Sequence, residues 1–336
     1  MENIPFATAA TVVCDRIGAY LSRLPEWLMA DAQEIRLRVN KPVSLCCGGS
    51  VYFLHKDGSP GRVADRESVA ASRQDVEETF RRVCGDSVYS HQNEIKNGYI
   101  TVRGGHRVGV CGTAVVTGGA VSALRDISSL NIRIAREIGG CADELLHKIG
   151  EEIEEGLLLA GPPSGGKTTL LRDIARQLSS GFGGRIRKVA VVDERGELAG
   201  TCLGVAQNDL GLCCDVLDGY PKGEGIQQAV RSLSPEFILC DELGAQTDAE
   251  AVLEGLNAGV SMVASIHAGN IQELLRRKQA LSLLRTGAFG NVALLGGRAA
   301  PGKITGIYKV GDLLSEIDRD RRYSGGVRHG GVYGIA

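Results

Sequence analysis

The feature that most restricts how this chain can fold is the run GPPSGGKTT at positions 161–169. Its spacing is that of a phosphate-binding loop, in which glycines let backbone N–H groups converge on phosphate oxygens. In such a loop Lys167 adds a positive charge at the β- and γ-phosphates, and the Thr168 hydroxyl is a ligand of Mg²⁺. We therefore predict an ATP·Mg²⁺ site formed by Gly161, Pro162, Pro163, Ser164, Gly165, Gly166, Lys167, Thr168 and Thr169.

The residues on either side of this run support the same interpretation. Leu157–Ala160 is apolar and predicts a strand that leads into the loop, and the apolar spacing of 169–179 predicts an amphipathic helix after it. The amino end of that helix would add favourable partial charge at the phosphates. With 46 glycines in the chain, a glycine-rich turn without a ligand is the alternative, and the strand–loop–helix context disfavours it.

Two acidic pairs, Asp193-Glu194 and Asp241-Glu242, follow apolar runs that predict strands. The carboxyl ends of parallel strands share one edge of a sheet, so we expect both pairs near the phosphate-binding loop. Asp241 is then the candidate to hold Mg²⁺ through water, beside Thr168. Glu242 or Glu194 is the candidate to activate the attacking water, and the sequence leaves that choice open. Taken singly, either pair could be a solvated strand end or a helix cap.

A histidine and several arginines complete the set of candidates. His267 ends another apolar run, so we expect it at the same edge, where it would sense the γ-phosphate. Arg231 is a candidate for the extra cation that P-loop enzymes need at the γ-phosphate, although each arginine alone is more simply a solvated surface charge. The other candidates are Arg103, Arg107, Arg125, Arg133 and Arg136.

The pattern of predicted elements changes near residue 140. Before it, the alternating run Glu34–Val39 and a hairpin across Gly104-Gly105-His106 predict a smaller α+β domain at 1–140. After it, apolar runs alternate with helical patterns, which is typical of a mainly parallel sheet covered on both faces. We predict an α/β, RecA-like P-loop ATPase domain at 141–336.

Two further expectations concern the second domain. The stretch 196–225 is polar and rich in glycine, and we expect it to be a functional loop. Asn270, with Glu273 three residues later, is expected to open one last long helix.

Composition narrows the class of function. The net charge is −2 and there is one tryptophan, so a nucleic-acid partner is not expected, although a nucleic-acid-binding RecA-like translocase is the alternative function. The ten cysteines include no C-x-x-C pair, which disfavours a zinc site. The guanine-selecting N-K-x-D pattern is missing, which disfavours a GTPase. No run approaches ~18 apolar residues, so we expect a cytoplasmic protein without a membrane span.

With these motifs together, the sequence resembles the secretion-ATPase superfamily of P-loop motors, which act in type II and type IV secretion and in pilus retraction. The Walker A loop, Asp box, Walker B strand and His box of that superfamily match GPPSGGKTT (161–169), VVDERGE (191–197), ILCDELG (238–244) and ASIHAGN (264–270). Within the superfamily it is most similar to the stage III sporulation AA family of endospore-forming bacteria. That similarity covers nearly the whole chain, including 34–43, 97–112 and 208–244.

The resemblance implies an ATP-hydrolysing motor of a secretion-like channel between mother cell and forespore. It implies a hexameric ring on the mother-cell side of the forespore membrane, docked on membrane-embedded channel proteins, with arginines of the first domain completing the nucleotide site. The sequence departs from the superfamily pattern at two places, Pro162-Pro163 in the Walker A interior and Asp241 before Glu242. The second departure keeps both Glu194 and Glu242 as candidates for activating water.

Overall fold

The computed structural model describes residues 4–325, except 86, 88–90, 97 and 245. The chain forms two compact units, of which the first comprises the residues up to 137 together with 200–208. The second comprises 138–199 and the residues from 209 onward. The segment 200–208, which lies inside the predicted 141–336 domain, thus packs with the first unit. One contact that joins this segment to the first unit is the hydrogen bond of 2.8 Å that the Gly104 N–H, at the hairpin turn, donates to Gln207 Oε1.

The first unit is built on an antiparallel sheet. Its strands are β1 (Ala32–Arg38), β2 (Lys41–Pro42), β3 (Ser44–Cys47), β4 (Ser50–Leu54), β5 (Pro60–Gly61), β6 (Ala70–Ala71), β7 (Tyr99–Val102), β8 (His106–Thr117) and β9 (Ala120–Arg133). Its helices are α1 (Ile4–Ala10), α2 (Asp15–Leu21), α3 (Glu26–Asp31), α4 (Arg73–Val83) and α5 (Gln92–Lys96). The described strands pair in the order β5-β4-β3-β1-β9-β8-β7, and β2 pairs with β6.

Alternation along β1 and β7–β8 explains this sheet. Ile35 and Leu37 are fully buried, while the charged residues that alternate with them, Glu34, Arg36 and Arg38, are partly exposed, as a sheet with one covered face requires. The predicted hairpin is confirmed, with Tyr99 opposite Gly109 and Val102 opposite His106. The inward residues of the sheet form one apolar core with α2, α3 and α4.

The second unit is built on a mostly parallel sheet. Its strands are β10 (Leu157–Gly161), β11 (Val189–Asp193), β12 (Cys214–Asp218), β13 (Phe237–Cys240), β14 (Ser261–His267), β15 (Asn291–Leu295) and β16 (Ile304–Lys309). Its helices are α6 (Asp143–Ile149), α7 (Lys167–Ser180), α8 (Lys222–Leu233), α9 (Gln246–Asn257), α10 (Ile271–Arg276), α11 (Lys278–Arg285) and α12 (Val310–Gly325). Among these residues the order is β12-β11-β13-β14-β10-β15-β16, parallel except for β15–β16. The fold is therefore α/β.

Apolar cores cover both faces of this sheet. Leu157 and Leu159 of β10 face the core formed with α6 and α7, and Leu158 and Ala160 face the core formed with α8, α9 and α11. A strand buried on both faces must be apolar at every position, which explains the unbroken apolar runs of β10, β11 and β13. No helix in the described part of the chain is both long and apolar enough to cross a membrane.

Two predictions for the second unit differ from the structure. The expected loop at 196–225 contains β12 and the start of α8. Beyond Asn270, the expected single long helix is two helices, because Arg277 is extended (φ −80°, ψ 122°) and separates α10 from α11. Two strands and α12 then follow.

Candidate nucleotide site

The phosphate-binding loop connects β10 to α7, as its pattern requires. Gly166 precedes the helix with φ 89°, a left-handed conformation that suits glycine. A Cβ atom at Gly166 would lie 2.5 Å from the Gly302 nitrogen, so this position also needs glycine for space. The loop is closed by the Gly165 N–H, which donates to Pro162 O at 3.1 Å.

Lys167 is held inside the loop. Its Nζ donates to Gly161 O at 2.9 Å and to Pro162 O at 3.0 Å. Burial lowers its pKa from the ordinary value for lysine. Phosphate oxygens would favour the charged form of this amine. The two hydrogen bonds to carbonyl groups keep the amine inside the loop, where the phosphates would bind.

The sheet order brings the predicted Mg²⁺ ligands into contact. The strand β14 lies between β10 and β13, so the loop after β10 and the acidic pair after β13 are two strand spacings apart. The Thr168 hydroxyl spans the gap and donates to Asp241 Oδ2 at 2.7 Å. A hydroxyl and a carboxylate are oxygen donors of the kind that Mg²⁺ prefers, so these two residues fit that ion.

Ser265 on β14, which the sequence analysis missed, connects that strand to the acidic pair after β13. Its hydroxyl donates to Asp241 Oδ1, and its Oγ accepts the Glu242 N–H at 2.9 Å. Glu242 has φ 53°, an uncommon conformation for a residue with a side chain, and these bonds hold it there. Ser265 lies two positions before His267 on β14 and so points to the same face, which is a signal that strand periodicity could have provided.

Both candidate water-activating carboxylates are paired with cations. Glu194 Oε2 accepts from Lys222 Nζ at 2.5 Å, and Glu242 Oε2 accepts from Arg195 Nη1 at 2.5 Å. These four residues line one cleft at the carboxyl ends of β11 and β13, together with Val192, Asp193, Glu197 and Asp241. Lys222 and Arg195 were not among the predicted site residues.

Asp193 serves the loop that follows it. Its buried carboxylate accepts the N–H groups of Glu197, Leu198 and Ala199 at 2.8–2.9 Å. Burial raises its pKa despite these hydrogen bonds. The side chain therefore fixes the turn that carries Glu194 and Arg195 into the cleft.

His267 ends β14 beside the phosphate-binding loop, because it pairs in register with Gly161. Its carbonyl accepts from Arg277 Nη1 at 2.7 Å, and its Nδ1 lies 3.4 Å from Arg277 Nη2. Arg277 is also bonded to Glu273 at 2.7 Å. The imidazole is thus positioned at the predicted edge by residues of α10 and the break after it.

The structure does not bring Arg231 to this edge. It is exposed in the last turn of α8, and the chain then enters β13 at the amino end of that strand. Since a helix that connects parallel strands runs back across the sheet, its last turn lies at the edge opposite the loop. Arg107 stacks 4.1 Å from the centre of the Tyr99 ring within the first unit.

The chain resembles known proteins in sequence over most of its length. The sequence profile of the family described as "Sporulation stage III, protein AA" matches residues 16–313. The chain is 39% identical over 308 residues to "Stage III sporulation protein AA" of Bacillus subtilis (strain 168), covering 91% of this chain and 96% of that protein.

Two solved structures share the fold. The Yersinia pseudotuberculosis ATPase DotB has a TM-score of 0.55 at 15% identity and covers 95% of this chain and 93% of its own. The pilus retraction motor PilT, solved with bound ADP, has a TM-score of 0.51 at 15% identity and covers 87% of this chain and 84% of its own. The α/β fold is thus that of secretion and pilus ATPases, and by sequence the chain belongs to the sporulation stage III protein AA family.

Proposed function

We propose that this chain is a RecA-like P-loop ATPase that binds ATP with Mg²⁺ and hydrolyses it. The observation that carries the proposal is the hydrogen bond of 2.7 Å between Thr168 and Asp241. It joins a phosphate-binding loop to an acidic strand end, which is the arrangement that P-loop ATPases use for the metal and the γ-phosphate.

Each residue then has a chemical role. The loop amides and Lys167 hold the phosphates, while Thr168 and Asp241 hold Mg²⁺, which supplies charge neutralisation when bound. Glu242 accepts a proton from the attacking water. His267, at the end of the neighbouring strand, senses the γ-phosphate. Glu194 is the second candidate for the water, at the neighbouring strand end.

The biological role that we propose is that of a motor in a secretion-like channel of endospore formation. Support comes from the family, which is named for stage III of sporulation, and from the fold shared with secretion and pilus ATPases. In this role the chain assembles into a hexameric ring, on the mother-cell side of the forespore membrane, and docks on membrane-embedded partner proteins.

The first test is nucleotide turnover by a Lys167→Ala variant. We expect phosphate release by the wild type and a loss of at least about 100-fold in the variant, because a preorganised charge at the phosphates is removed. Lys188→Ala is the matched control, since Lys188 is an exposed lysine at the amino end of β11. Equal turnover by Lys167→Ala and wild type would contradict the proposal.

In the same assay, Glu242→Gln should still bind ATP but release phosphate slowly, because the amide cannot accept the proton of water. Glu194→Gln should retain most of the turnover. If Glu194→Gln were instead the inactive variant and Glu242→Gln the active one, the catalytic role would belong to Glu194.

A further inference from the structure

We propose that Arg195 is a transferable cation of the nucleotide site, which leaves Glu242 for the γ-phosphate when ATP binds. It thereby makes the site prefer ATP to ADP and frees the carboxylate that activates water. This inference rests on the proposed ATPase function and adds to it a residue that the predicted arginine candidates do not include.

The position of Arg195 follows from the turn after β11. The buried Asp193 carboxylate fixes that turn through three backbone N–H groups, so Arg195 projects into the cleft. Its Nη1 lies 2.5 Å from Glu242 Oε2. If Glu242 accepts a proton from the water that attacks the γ-phosphate, then only that carboxylate and that water separate the Arg195 guanidinium from the phosphate.

The two ion pairs of the cleft differ in how readily they can separate. The Lys222 side chain is 13% exposed, so removing Glu194 from it would leave a mostly buried charge without its partner, which is costly. The side chains of Arg195 and Glu242 are 60% and 49% exposed, and a pair so exposed contributes little to stability. The pair that can exchange partners is therefore the one that holds Glu242.

The chemistry of both partners favours the exchange. A guanidinium binds phosphate with two parallel N–H···O bonds, and a terminal phosphate offers more acceptor oxygens and more charge than one carboxylate. While Arg195 donates to Glu242 Oε2, it takes one lone pair of that oxygen and stabilises the negative charge, so the carboxylate is a weaker proton acceptor for water. Arrival of the γ-phosphate thus releases the acceptor at the moment when substrate is present, and ADP, which lacks that group, does not.

The test compares the affinity of a non-hydrolysable ATP analogue with that of ADP, both in the presence of Mg²⁺. For Arg195→Gln we expect ADP affinity within about twofold of wild type, and a ratio of ATP-analogue to ADP affinity at least about tenfold lower, since one charge-assisted contact to the γ-phosphate is lost. Turnover should fall by at least about tenfold. Arg285→Gln is the matched control, because Arg285 forms a comparably exposed pair with Asp318 at 3.0 Å.

Glu242→Gln provides a test with the opposite sign. Without the carboxylate, Arg195 loses its ion pair with Glu242, so the analogue should bind more tightly than to wild type while ADP affinity stays the same. The double variant Arg195→Gln/Glu242→Gln should lose that gain. An unchanged affinity ratio in Arg195→Gln, or an equal loss of both nucleotides, would overturn the proposal; failure of the wild type to bind any nucleotide would instead reject the ATPase function.

Discussion

At the scale of single residues, His106 shows how burial sets a pH limit on the first unit. It begins β8 and is 1% exposed. Its Nδ1 accepts the Ala135 N–H at 3.0 Å, which requires that nitrogen to carry no proton. Burial lowers the pKa of this histidine to about 4. The folded unit therefore holds His106 neutral under conditions where an unfolded chain would charge it.

This pKa shift predicts a loss of stability as pH falls. Below about pH 6.5 the unfolded chain binds a proton at His106, whereas the folded chain does so only below about pH 4. Protonation thus favours unfolding within this window, by at most about 1.4 kcal/mol per pH unit, and has no effect above it. Urea midpoints measured at pH 7.5 and 5 should fall less in His106→Gln than in wild type. His147→Gln, at an exposed histidine, should behave as wild type, and equal slopes for all three would contradict this assignment.

Some of the site residues could be identified from sequence and others could not. Lys167, Thr168 and Asp241 belong to local patterns in which the chemistry dictates the spacing. Ser265 and Arg195 act through side chains of other strands, and such a pairing depends on strand order, which no local pattern contains. Arg231 was placed at the site because it precedes β13 in sequence, but a helix carries it to the far edge of the sheet.

At the scale of elements, the phosphate-binding loop packs on the turn between β15 and β16. The Gly302 N–H donates to Gly165 O at 2.8 Å, and Gly296 N–H donates to Lys303 O at 2.7 Å within that turn. The loop is thus fixed from outside by backbone hydrogen bonds as well as by its own glycines. Side chains at Gly165 or Gly166 would meet this backbone at under 3 Å.

Gly166→Ala should therefore impair both stability and nucleotide binding. The substitution strains a residue at φ 89° and places Cβ 2.5 Å from the Gly302 nitrogen, so the loop and the turn must separate. We expect a destabilisation of about 1–3 kcal/mol and at least about tenfold weaker ATP binding, measured by thermal unfolding and titration. Gly183→Ala is the control, since Gly183 has φ 65° but no atom within 4 Å of the added Cβ. Equal effects of the two substitutions on nucleotide binding would contradict a specific role for the contact between Gly166 and Gly302.

Element prediction succeeded where burial on both faces leaves no ambiguity. The strands β10, β11, β13 and β14 are apolar runs, and each ends within one residue of the position that the sequence predicts. The strand β12 lies at the sheet edge, where Leu217 is its one buried residue, so its sequence resembles a loop. The break at Arg277 has no glycine or proline that would predict it from sequence. Its side chain is held by a hydrogen bond to the His267 carbonyl, a contact that depends on tertiary structure.

At the scale of the whole molecule, the proposed ring can be tested by mass. A subunit has a mass of 35.5 kDa, and we expect six copies to associate when a non-hydrolysable ATP analogue and Mg²⁺ are present. Light scattering with and without the analogue measures this directly, with Lys167→Ala as the control that should not respond to nucleotide. A monomer under both conditions, at concentrations well above micromolar, would contradict the ring.

The return of residues 200–208 to the first unit has a consequence for how this gene can be recombined. The chain passes between the units three times, so no single cut divides it into two complete parts. A chimera that exchanged only residues 1–137 would keep the hairpin turn at Gly104 but combine it with a Gln207 segment inherited from another parent. Functional exchange between relatives should therefore require two coordinated crossovers around 200–208, which makes these nine residues part of the same heritable module as the amino-terminal half.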